Sequence, residues 1–136
     1  MFKNIRNAGD LGEVRNLLQT EASPYWHTHH TFGRVCAPVS RRTSTRFTDL
    51  LILNTVIPVL LAYSRKTGQF TSDRFINWAG ELKAEDNRVV REFKQEGICV
   101  NNAQESQALL QLYNRYCLKN KCLQCRWGIY LLYGKY

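Results

Sequence analysis

Hydrophobic and polar positions along this chain recur with the period of helices. Leu11, Val14, Leu17 and Leu18 return at three- and four-residue steps, which puts them on one helical face. Asp10 just before them, with Glu13 placed to answer it, predicts a capped helix start. Between Thr45 and Gly68 the apolar residues crowd together. Phe47, Leu50, Leu51, Val56, Ile57, Leu60 and Leu61 leave little polar surface, so the pattern predicts a central helix through the middle of the fold. Pro58 lies inside that run and lacks the N–H that would bond the Asn54 carbonyl, which predicts a kink. Asn54 itself is expected to hydrogen-bond local backbone or a loop.

Further helices follow. Thr71 or Ser72 can cap one carrying Phe75, Ile76, Ala79 and Leu82. "EDNRVVREFKQEG" predicts another, with Val89, Val90 and Phe93 inward and Gly97 as its stop. Asn102 and Glu105 open "AQESQALLQLYNRYC", whose stripe is Leu109, Leu112, Tyr113 and Tyr116, and a last helix runs from near Cys122 to about Tyr133. Glu21 to Ser44 has no clear period, contains Pro24, Gly33 and Pro38, and reads as a long ordered connection. No alternating run is long enough to build a sheet. The expected fold is all-α: a single helical domain over residues 1–136, five or six helices around one core, with a buried, Pro-kinked central helix.

Composition narrows the function classes. With 136 residues, 44% hydrophobic and 22% charged, the chain is globular and able to bury a core. The net charge of +8 suits an anionic partner. No acid occurs from Ala22 to Thr48 or after Glu105. Arg41, Arg42, Arg46, Lys119, Lys121 and Arg126 are therefore the candidate phosphate contacts of a nucleic-acid partner. Tyr113, Tyr116, Trp127, Tyr130, Tyr133 and Tyr136 are interleaved aromatics able to stack bases. The competing reading is an aromatic core under a solvated basic face. "MFKNIRNAGD" lacks the apolar stretch of a secretory signal. The run from Leu50 to Tyr63 is broken by Asn54, Thr55 and Pro58, short of the ~20 apolar residues of a membrane span. The expectation is a cytoplasmic protein with reduced thiols and no membrane partner.

"YCLKNKCLQC", residues 116–125, holds three of the five cysteines. On one continuous helix Cys122 and Cys125 share a face and Cys117 points away. A turn at Lys119-Asn120-Lys121 would bring the three together, and Asn tolerates the left-handed conformation of such a stop. Cys122 and Cys125 then sit at a new helix start, where exposed N–H groups, Lys121 and Arg126 are expected to lower thiol pKa. Cys117, Cys122 and Cys125 are thus candidate metal ligands. A closed zinc site takes four, so Cys99, Cys36, His27 or His29 must supply the last. Zinc stands ahead of an iron–sulfur cluster, whose plant-type spacing the cysteines match only in part. The alternatives are small apolar residues in a metal-free core and a Cys122/Cys125 redox pair, which lacks a surrounding βαβ pattern.

The histidines all lie in "YWHTHHTFG" as His27, His29 and His30. They suit metal or proton chemistry, but no carboxylate is adjacent to orient them, and the segment reads better as an ordered loop packed on the core by Tyr25, Trp26 and Phe32. Glu81, Glu85 and Asp86 form the one acidic cluster, as expected near a helix start. Phosphate-cradling glycine loops, nucleophile elbows and His-Glu-x-x-His helices are absent from the sequence.

"YWHTHHTFG", "LILNTVIPVLLAY", "AEDNRVVREF", "AQESQALLQLYNRYC" and "CLQC", in this order, resemble the C-terminal part of an uncharacterised bacterial family known only as a domain of unknown function. The resemblance runs from about Leu17 to Leu132 and implies a closing cysteine pattern at Cys117, Cys122 and Cys125. It also implies an aromatic-histidine segment at Tyr25, Trp26, His27 and His29. The chain departs from the family pattern at His30, where an aromatic is expected, and at Ser64, where glycine is. Longer members carry an N-terminal region with acidic and histidine-rich, nuclease-like motifs that this sequence lacks, so the resemblance transfers no catalytic residue. Three readings result. The first is a non-enzymatic C-terminal module with a structural cysteine-ligated metal that contacts nucleic acid or a missing N-terminal partner domain or protein. The others are a metal-free all-α interaction or scaffold domain, and a fragment of a nuclease-like enzyme without its catalytic region.

Overall fold

The computed structural model describes residues 1–68 and 72–134; Thr71, Lys135 and Tyr136 lie outside them. The chain is mainly α-helical and divides into two compact units, Met1–Trp78 and Ala79–Tyr136. Among the described residues nine α-helical segments replace the five or six expected, because several are only one or two turns long.

In the N-terminal unit α1 spans Phe2–Asn7 and α2 Leu11–Leu18. Asp10 caps α2 by accepting from the Glu13 N–H at 2.8 Å, while Glu13 Oε2 accepts from the Gly9 N–H at 2.7 Å. The carboxylate thus reaches one residue beyond the usual capping-box donor. Leu11 and Val14 are buried with Ile5, but Leu17 is exposed. The aperiodic stretch holds α3 (Pro24–His27) and a two-stranded antiparallel hairpin, β1 (His29–Thr31) and β2 (Arg34–Val35). Gly33 turns the hairpin at φ +72°, a conformation that favours glycine. These strands are too short to announce themselves by alternation.

The central segment is helical throughout. Ser44 caps α4 (Thr45–Leu51), a π turn covers Ile52–Val56, and α5 runs Ile57–Lys66. The irregularity expected at Pro58 takes the form of that π turn, in which the Ile57 N–H reaches back five residues to the Ile52 carbonyl. Asn54 Nδ2 donates to the Leu50 carbonyl at 3.2 Å, the local backbone bond expected of it. The expectation of all-round burial is corrected. Thr48, Ile52, Leu53, Val56, Ile57 and Leu60 are buried, whereas Phe47, Leu50 and Val59 face outward. Thr45–Lys66 is also long and apolar enough to cross a membrane by length and composition, with mean hydropathy 1.6 and 28% of that window buried. The unit packs this helix against α2, where Arg15 and Asp49 pair at 2.7 Å.

Helix α6, Asp73–Glu81, leads from one unit into the other. Phe75 and Trp78 are buried and Ile76 is exposed, so the inward stripe lies partly on Trp78, which the pattern had not singled out. Arg74 stacks on Trp78 at 4.2 Å and donates to the Arg6 and Ala8 carbonyls, closing the C-terminal end of α1.

In the C-terminal unit Asn87 caps α7 (Arg88–Gln95) and Asn102 caps α8 (Ala103–Arg115), each accepting from the N–H three residues on. Gly97, at φ +85°, ends α7. Its N–H bonds the Lys94 carbonyl and the Ile98 N–H bonds that of Phe93, the paired closure of a Schellman stop. Leu82, Val90, Val100 and Ala103 are buried with Ser106. The Ser106 hydroxyl is satisfied, donating to the Ala103 carbonyl and accepting from the Glu85 N–H. The last helix, α9, is Arg126–Tyr133 and starts later than expected, because Cys122–Gln124 forms a separate 3-10 turn.

Candidate thiol site

The turn that the cysteines required is present. Tyr116 ends α8, Cys117–Lys119 is a 3-10 turn, and Asn120 adopts φ 52°, ψ 35°, left-handed. Among the described residues it is the one non-glycine residue with positive φ. The Asn120 N–H bonds the Cys117 carbonyl and the Lys121 N–H bonds that of Tyr116, repeating with asparagine the closure that Gly97 makes after α7. The chain then winds through Cys122–Gln124 into α9, whose N-cap is Cys125. Gly128 fixes the approach of α9 to this turn: a Cβ there would lie 3.0 Å from the Cα of Cys122 and closer still to its carbonyl group.

These elements enclose one side of a half-open cavity of about 830 Å³. Phe93, Ile98, Leu109, Leu112, Tyr116 and Trp127 give it an apolar wall, and Cys99, Cys117, Cys122 and Cys125 all line it. Its size is that of a ligand pocket. Cys125 is buried and the other three residues are exposed. The Cys117 thiol is pushed above its ordinary value, first by partial desolvation, then by the charges of Cys125 and Cys122, with a backbone hydrogen bond opposing. Cys117 itself lies on the α8 side of the turn. Among the described residues no group of three or more His, Cys, Asp or Glu side chains is arranged to hold a metal ion.

The other candidate ligands belong to the N-terminal unit. His29 Nδ1 is 2.9 Å from the Tyr25 carbonyl and its ring stacks on that of Tyr25 at 4.0 Å. His27 Nε2 lies 3.4 Å from Glu21 Oε1, outside hydrogen-bond geometry. Cys36 is half-buried, with an Arg41 guanidinium nitrogen 4.0 Å from its sulfur. The histidine segment is held by its own rings rather than packed on the core as the sequence suggested: Trp26 and Phe32 add edge contacts and the Tyr25 hydroxyl accepts from the Gly33 N–H, while Tyr25 and Phe32 stay exposed. In the acidic cluster Glu85 accepts from Gln107 and Asp86 pairs with Arg91.

The candidate phosphate contacts divide in the same way. Arg41 donates to the Trp26 carbonyl at 2.8 Å, Arg42 pairs with Glu21 at 3.1 Å, and Arg46 is engaged as well. Lys119, Lys121 and Arg126 are exposed in the C-terminal unit. What the sequence did not single out is the cavity wall of Phe93, Ile98 and Trp127 and the close approach at Gly128. The lone glycine in the otherwise apolar "RWGIYLLY" is the signal that marked the latter.

A family model described as a protein of unknown function (DUF2851) matches residues 1–88. The matched range takes in "YWHTHHTFG" and the central helix and ends at Arg88, so the cysteine segment lies beyond it. Comparison with curated proteins and with solved structures gives no match. Because the match covers more than half of its residues, the chain belongs to the DUF2851 family of proteins of unknown function.

Proposed function

We propose that this chain is a non-enzymatic helical module whose C-terminal unit binds one soft metal ion through Cys99, Cys117, Cys122 and Cys125. Zinc is the first expectation and an iron–sulfur cluster the alternative. The observation that carries the reading is that these four thiols line one cavity, with the left-handed Asn120 turning Cys122 and Cys125 back toward Cys117. Cys99 is the favoured fourth ligand because it shares that cavity, while Cys36, His27 and His29 lie in the other unit. The Cys117 thiol is raised first by desolvation and then by the charges of Cys125 and Cys122, and a bound cation would relieve the second of these. The sulfurs are not gathered in advance, so the ion itself would draw them to its ~2.3 Å bond length and bind with a structural role, tying α9 to α8. Phosphate contacts of a nucleic-acid partner would fall to Lys119, Lys121 and Arg126, since Arg41 and Arg42 are occupied within their own unit.

Zinc titration combined with alkylation of thiols tests this. The expected result is one zinc per chain, with four thiols protected and Cys36 reactive. Cys99→Ser should weaken zinc at least tenfold. Less than a tenth of an equivalent of zinc bound, with the alkylation rate of every thiol unchanged by added zinc, overturns the reading in favour of the metal-free interaction domain. Protection of three thiols with Cys99 still reactive removes Cys99 from the ligand set.

A further inference from the structure

Helix α9, "RWGIYLLY", is apolar around its circumference apart from its first residue, a pattern that normally marks a helix buried on all sides. Here Trp127, Tyr130, Leu131, Leu132 and Tyr133 are 50–73% exposed. The turns leading into it add Leu118 and Leu123, exposed at 60% and 66%. Trp127 and Tyr130 stand edge to face, 6.0 Å apart, on one side of the helix. Exposed apolar surface of this extent marks an interaction site. Lys119, Lys121 and Arg126 are interspersed with it and are exposed. The sequence from Ser106 onward contains no acidic residue, and of the two carboxylates that border the cavity beside Trp127 and Leu131, Glu96 and Glu105, the second is held by the Asn101 N–H. The complement of this surface is therefore an anionic body that also accepts aliphatic side chains.

We infer that the turn from Leu118 to Arg126, together with α9, is a docking surface for an anionic lipid bilayer, occupied at headgroup depth. The choice between lipid and nucleic acid turns on the leucines. A nucleic acid offers phosphates to the cations and stacked bases to Trp127 and Tyr130, but gives Leu118, Leu123, Leu131 and Leu132 no partner. A bilayer interface takes all three kinds of side chain. Cations meet the negative headgroups, Trp and Tyr sit at the boundary, and leucines enter the upper acyl region. α9 has eight residues, too few to span, so contact is along the surface. The sequence had led us to expect no membrane partner. Its reasoning addressed spanning segments and a signal, and an interfacial surface of this kind escapes both tests.

The test is co-sedimentation of the full, reduced, metal-free chain with vesicles of phosphatidylcholine alone and of phosphatidylcholine with 30% phosphatidylglycerol. Trp127 emission is read against Trp127→Phe. The expected result is binding to the anionic vesicles, at least tenfold weaker on neutral ones, with a blue shift that Trp127→Phe abolishes. Leu123→Glu with Leu132→Glu lies outside the thiol cavity and should reduce binding at least tenfold at unchanged helix content. Lys119→Glu with Lys121→Glu should do the same at low salt. Absence of binding to anionic vesicles overturns the inference. So does binding that the leucine variants leave intact, or selective binding of single-stranded RNA or duplex DNA with no vesicle association. Because the chain is metal-free throughout, failure here leaves the zinc reading standing, and failure of zinc to bind leaves this one standing.

Discussion

The two cysteine- and histidine-bearing segments of the molecule meet opposite fates. In "YWHTHHTFG" most of the polar contacts are made within the loop that displays them, with His27 Nε2 left outside hydrogen-bond geometry. His29 bonds and stacks on Tyr25, the Tyr25 hydroxyl holds the Gly33 N–H, and Arg41 reaches the Trp26 carbonyl. In "YCLKNKCLQC" the backbone makes the turn through its own hydrogen bonds, and its three cysteines, with Cys99, are left lining a cavity. Both segments carry side chains that bind metals. The difference lies in whether folding uses the side chains or only the main chain. Chemistry stays available where backbone bonds and a single left-handed residue build the local structure, and it is absorbed where side chains must build it.

The sharpest way to break the cysteine half of this comparison is Gly128→Ala. A Cβ at that position meets the backbone of Cys122, which has no rotamer to escape into. Overpacking of this kind costs roughly 1–3 kcal/mol or more. The variant should unfold at lower denaturant concentration and lose zinc affinity by more than tenfold. Gly80→Ala, whose Cβ would meet only the Gln104 side-chain oxygen at 3.7 Å, should do neither. Urea melts with parallel zinc titration decide it.

Next in size is Tyr25→Ala in the histidine half. It removes the stack on His29 and the acceptor for Gly33. An aromatic pair and a hydrogen bond are each worth about 0.5–1.5 kcal/mol, so a loss of roughly 1–3 kcal/mol is expected. Tyr25→Phe should recover the stacking part. Neither should alter zinc stoichiometry, and a drop in bound zinc would show that the two segments are not independent.

Asn120 offers a smaller perturbation. Its left-handed backbone suits glycine and asparagine, and a residue with an ordinary Cβ pays about 1–2 kcal/mol there. Asn120→Gly should be close to neutral or slightly stabilising and keep the zinc site. Asn120→Val should lower the unfolding midpoint and weaken zinc. Equal behaviour of the two variants would mean that the turn does not set the cysteine geometry.

How much of this was legible beforehand depends on the range of the interaction. Caps and stops are encoded within a few residues, so Asp10, Asn102, Gly97 and the turn at Asn120 were all readable. The hairpin at His29–Val35 was not, because strands of two or three residues leave no period. Nor was the one-sided exposure of the central helix. Density of apolar residues shows that Phe47, Leu50 and Val59 can be buried, but whether a neighbour covers them is a tertiary fact. The cavity was hidden for the same reason: Phe93 and Leu109 read as core stripe, Ile98 belonged to no stripe, and the wall they form depends on where α9 returns. Cys99 could be named as a ligand candidate but not chosen over Cys36, because spacing does not tell that Cys99 lines one cavity with the other three cysteines.

The finest test of the thiol site is its pH dependence. Cys117 keeps its proton more tightly in the folded chain than its ordinary value of 9.0 would allow, chiefly through desolvation and then through Cys125 and Cys122. Between those two values the folded state holds more protons than the unfolded one, so stability falls as pH rises. The contribution is fully present below pH 9.0 and is lost as pH rises through the raised folded value. The metal-free wild type should therefore lose a little more stability than Cys117→Ser between pH 8 and 10.5, in melts followed by circular dichroism under reductant. Zinc should reverse the sign for the wild type. Binding to thiolates releases protons, so apparent affinity climbs with pH and the loaded chain gains stability over the range in which the free chain loses it. If the wild-type and Cys117→Ser profiles superimpose without zinc, Cys117 is not electrostatically coupled to its neighbours, and the three sulfurs share a cavity wall without forming a site.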